Sequence, residues 1–75
     1  MSGLPKVSGR DMIKILENKG YSKIRTRGSH VRLYPPNYST EDLKRVTVPL
    51  HKELKVGTQL SIMKDAKLIL EDLRT

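Results

Sequence analysis

The greatest capacity for chemistry in this sequence lies with His30 and the cations around it, Lys23, Arg25, Arg27 and Arg32. Histidine titrates near neutrality, so it can take or give a proton at cellular pH. Arginine adds a permanent charge on a planar fork of donors that matches phosphate oxygens. A base among such cations is equipped for one reaction in particular. A ribose 2′-hydroxyl, relieved of its proton, attacks the adjacent phosphate while the cations hold the charge that builds on the phosphorane-like transition state. The same residues also suit plain binding of a polyanion, and composition by itself extends no further than RNA or DNA binding.

Other chemistries lack their parts. There is no cysteine, so no disulfide or thiolate, and His30 and His51 are the only imidazoles. The acids do not gather beside either histidine at ligand spacing, so no metal or other cofactor is expected. A phosphate-cradling glycine loop is missing too, which excludes an NTPase.

Charge supports the same region. Fifteen Lys and Arg against eight Asp and Glu give +7 on 75 residues, a strong bias toward polyanions. From Asn18 to Thr40 no acidic residue occurs, while five of the cations fall there. A chain this short is expected to form one domain, residues 1–75, around one modest core. Neither a signal peptide nor a membrane span is visible, and the expected location is the cytoplasm.

Three strands must position the histidine. Tyr21 to Arg27 and His30 to Tyr34 alternate polar and apolar residues, and Gly28-Ser29 between them suits a type II′ turn with glycine first. Gly28 is then a backbone requirement, because that position needs positive φ. In this register Arg27 opposes His30, Arg25 opposes Arg32 and Lys23 opposes Tyr34, all on one face, with Ile24, Thr26, Val31 and Leu33 turned to the core. Pro35 to Thr40 is a turn-rich break. Arg45 to Val48 resumes the alternation until Pro49 stops it, with Arg45 and Thr47 extending the cationic face.

Helices flank the strands. Ser8 and Asp11 resemble a capping box, Val7 and Met12 a hydrophobic staple, and Met12, Ile13 and Leu16 form an apolar stripe closed by Lys19-Gly20. This predicts a helix from Gly9 to about Lys19. Leu60, Met63, Ala66, Ile69, Leu70 and Leu73 recur at helical spacing and predict a C-terminal helix, bent near Ala66. The fold class is therefore α+β, α-β-β-β-α, with both helices on the apolar face of an antiparallel sheet. The opposite face is left wet and basic.

Several stretches resemble the HicA toxin family. Ser8-Gly9-Arg10-Asp11 with Lys19-Gly20-Tyr21 looks like its opening helix and first strand, and Arg27-Gly28-Ser29-His30 like its signature hairpin. Val46-Thr47-Val48-Pro49-Leu50-His51 is similar to its third strand, and Lys52-Glu53-Leu54-Lys55-Val56-Gly57-Thr58 to the start of its last helix. The resemblance implies a fold like a double-stranded RNA-binding domain, metal-independent cleavage of messenger RNA, and neutralisation by a HicB antitoxin. It places the catalytic histidine at His30 and the hairpin glycine at Gly28. Where a glycine often breaks the last helix in that family, this chain has Lys67, so the helix is expected to continue.

The expected function is thus an endoribonuclease toxin with His30 as catalyst and Lys23, Arg25, Arg27, Ser29, Arg32 and Arg45 as RNA-binding residues. His51 reads as a structural loop residue. The alternatives are a non-catalytic RNA-binding module on the same face, or a domain whose basic face docks an acidic protein.

Overall fold

The computed structural model describes residues 4–37 and 42–74, so the Tyr38 to Thr40 end of the expected break lies outside the described residues. Helix α1 (Gly9–Asn18) starts as its sequence predicts, with the Ser8 hydroxyl accepting from the Asp11 N–H at 3.0 Å. Its end is a Schellman motif. Gly20 has φ 100°, its N–H donates to Glu17 O and that of Tyr21 to Leu16 O, both at 3.0 Å.

The sheet comprises β1 (Ser22–Arg27), β2 (His30–Tyr34) and β3 (Val46–Pro49), antiparallel in the order β1-β2-β3. Pro49 does not stop β3 but ends it, paired with His30. A proline is tolerated there because β3 is an edge strand. Helix α2 (Val56–Ala66) and a short 3-10 helix (Leu70–Leu73) complete the order.

Both helices pack on β3, and the core between them and the sheet holds Met12, Leu16, Leu33 and Val48, all fully buried. Gln59 is buried as well, and its Nε2 donates to Pro5 O at 2.8 Å, tying the leading segment to α2. Among the described residues no helix is long and apolar enough to cross a membrane.

Four expectations need correction. A bulge between Lys23 and Arg25 shifts the register, so Ser22, not Lys23, pairs with Tyr34, and Lys23 pairs with Leu33. Every residue of β1 is exposed, Ile24 and Thr26 included, because β1 is the edge that the helices cover least.

The last helix neither continues nor bends past Ala66; it stops. Lys67 adopts φ 53°, and the N–H of Leu68 turns back to Met63 O at 2.8 Å. The residues beyond lose helical phase, which leaves Ile69 and Leu70 exposed. Leu60 is exposed too, since the buried stripe of α2 is Gln59, Ile62, Met63 and Ala66.

Candidate nucleic-acid interface

His30 opens β2 directly after the turn. Gly28 has φ 59°, while Ser29 does not have positive φ, which is the type II′ pattern. The tip is pinned from the side, because Ser29 O accepts the Leu50 N–H at 2.7 Å just beyond β3. Leu50 and Pro49 are in turn held against α1. Gly9 donates its N–H to His51 O at 2.9 Å, and a Cβ built on Gly9 would run into the Pro49 carbonyl and lie 3.0 Å from Leu50 Cα. A side chain at position 9 would push apart the junction that positions the hairpin.

Arg27 pairs with His30, Arg25 with Arg32, and Arg32 with Thr47 across the next ladder. Directly paired residues share a face. These five, Arg25, Arg27, His30, Arg32 and Thr47, line one small pocket of about 160 Å³ on the face away from the helices. All five are exposed. The two ion pairs among the described residues are elsewhere, Lys6 with Glu53 at 3.8 Å and Lys19 with Asp72 at 3.5 Å. No described carboxylate neutralises the three guanidinium groups.

At the other end of β2 the Arg45 guanidinium carbon sits 4.1 Å from the centre of the Tyr34 ring. This cation–π contact holds Arg45 beside the face. The segment carrying it is anchored by Tyr21, whose hydroxyl donates to Lys44 O at 2.6 Å, and by the Lys44 N–H donating to Asp65 O at 3.0 Å. Burial, with a smaller contribution from the Asp65 charge, pushes the Tyr21 phenol above its ordinary value.

The structure therefore brings together His30, Arg25, Arg27 and Arg32, with Arg45 at the margin. It does not bring Lys23 to them. Paired with Leu33, Lys23 stands on the helix side and lines a groove between α1 and β1 with Asp11, Lys14 and Glu17. Ser29 does not line the pocket, its carbonyl being used to fix the turn. His51 is exposed and is not part of the pocket either. Among the described residues no three His, Cys, Asp or Glu side chains gather as metal ligands.

Sequence reasoning missed Gly9 as the residue that sets the hairpin's support. The signal was available in principle, since a glycine opening a helix costs stability unless something lies too close for a side chain.

A family model described as the HicA toxin of bacterial toxin–antitoxin systems matches residues 9–68 of the chain. Neither a curated protein nor a solved structure matches it.

Proposed function

This chain belongs to the HicA toxin family, the toxin half of a bacterial toxin–antitoxin pair, and from that premise we propose that it is a metal-independent endoribonuclease that cuts messenger RNA with His30. The observation that carries the reading is the single pocket in which His30 meets Arg25, Arg27 and Arg32. The arginines hold the scissile phosphate, and the neutral imidazole takes the proton of the 2′-hydroxyl. The 2′-oxygen then bonds to phosphorus, the bond to the 5′-oxygen breaks, and a proton from solvent or a nearby side chain completes the leaving alcohol. The products are a 2′,3′-cyclic phosphate and a 5′-hydroxyl end. Arg45 and Tyr34 lie along the same face and bind the strand beside the cut.

The physiological inhibitor in this reading is a HicB-type antitoxin that covers the basic face, and the site of action is the cytoplasm, where messenger RNA is translated. The test is incubation of the native chain and His30→Ala with a long unstructured RNA in EDTA, once both are shown to fold alike. The native chain is expected to cut and the variant to bind without cutting. Binding without cutting by both proteins would instead make the chain a non-catalytic RNA-binding module.

A further inference from the structure

A second cavity, of about 580 Å³, lies between β3 and the start of α2, and Arg45, Thr47, Lys55, Gly57, Thr58 and Ser61 line it. Thr47 also lines the pocket that holds His30, so the two depressions meet at β3. The groove presents two cations and three hydroxyls, with one acid, Asp65, also on its lining.

Gly57 has no explanation within the fold. Its φ is not positive, and a Cβ built on it would have no atom within 4 Å. Gly57 is the second residue of α2, and with neither backbone strain nor crowding to require it the position forgoes the helix preference of alanine. Its one visible consequence is a bare patch of backbone in the wall of a cationic groove. Close approach of a ligand to backbone is one of the uses that glycine serves.

We propose that this groove is a second phosphate subsite for the same RNA strand, in which the chain turns from the sheet face over Thr47 and lays a neighbouring phosphate between Lys55, the hydroxyls of Thr58 and Ser61, and the exposed backbone at Gly57. The assignment rests on the RNA reading above and adds where the strand goes after the cut site. It makes Lys55 and Gly57 binding residues with no part in the bond-breaking step.

Binding of a long single-stranded 2′-O-methyl RNA, which cannot be cut, tests this in the full chain. Replacing Lys55 by alanine is expected to reduce the slope of log K against log salt by about 0.7, the share of one single-strand phosphate. Lys14→Ala removes the same charge from α1 and is expected to leave the slope as it was. Gly57→Ala is the sharper variant. It is expected to melt no lower than the native chain yet to bind about five- to tenfold more weakly, the worth of one hydrogen bond. Equal slopes for Lys55→Ala and Lys14→Ala, or unchanged binding in Gly57→Ala, would overturn the subsite while leaving the RNA reading intact. Failure of the native chain to bind the RNA at all would bring down that reading, and the subsite with it.

Discussion

β1 and β2 are joined by two residues and bonded along their length, yet they are built on different terms. In β2 exposure alternates, with Val31 and Leu33 buried and His30 and Arg32 outside. In β1 all six residues are exposed and three of them are cationic. The helices press on β3, the core closes over Val31 and Leu33 of β2, and β1 is left as a margin that α1 touches and that its ladder mainly holds. The histidine thus stands on the anchored strand, and two of its three arginine neighbours stand on the margin. Charge on β1 can change with little cost to the fold, whereas the placement of His30 is tied to the core.

Leu33→Ala on β2 tests the anchored half and has the largest expected effect. The side chain is fully buried, and its loss should cost about 2–5 kcal/mol. Urea titration by circular dichroism measures it. On β1, Arg25→Ala should stay within about 0.5 kcal/mol of the native chain while weakening RNA binding. Comparable destabilisation by the two would erase the distinction between the strands.

Tyr21 joins the halves, since it leads into β1 while its hydroxyl bonds the carbonyl of Lys44 ahead of β3. Its pKa is raised in the fold above the ordinary 10.0, first by burial and then by Asp65. A raised value means that the folded state disfavours the phenolate. The stabilisation is fully present below the unfolded value and is lost as pH climbs through the folded one. Tyr21→Phe is expected to lose about 1 kcal/mol at neutral pH, the net worth of one hydrogen bond. The gap to the native chain should narrow above pH 10. Thermal melts of both proteins across the alkaline range decide the matter; a gap that widens there would contradict the assignment.

Much of this architecture was legible because local chemistry and tertiary packing agree in it. The Ser8 cap, the Gly20 terminator and the Gly28 turn each need a particular residue type, and the sequence supplies it. The pairing of Arg27 with His30 and Arg25 with Arg32 followed from the turn alone. Farther from the turn the register failed, because the bulge at Ile24 has no residue signature: an isoleucine in a strand reads as core whether or not a helix lies over it. Lys23 was misplaced for the same reason. Gly9 and the groove beside Gly57 depend on segments far apart in the chain, which no local pattern reports.

The helix ends repeat the contrast between a signalled and an unsignalled feature. Both are Schellman motifs: Gly20 with Tyr21 returning to Leu16, and Lys67 with Leu68 returning to Met63. At the first, glycine adopts positive φ freely. At the second, a lysine does so against the crowding of its Cβ and carbonyl, because Leu68 is drawn into the core, where it is 7 % exposed. Burial of one leucine is worth about 1.5–3 kcal/mol and outweighs the roughly 1 kcal/mol that the lysine conformation costs. Lys67→Gly should therefore stabilise the domain by about 0.5–1 kcal/mol, the only gain among these changes, read as a higher melting temperature. A loss instead would mean that the Lys67 side chain contributes packing or charge to the end of α2, and that this end is fixed by more than the pull of Leu68.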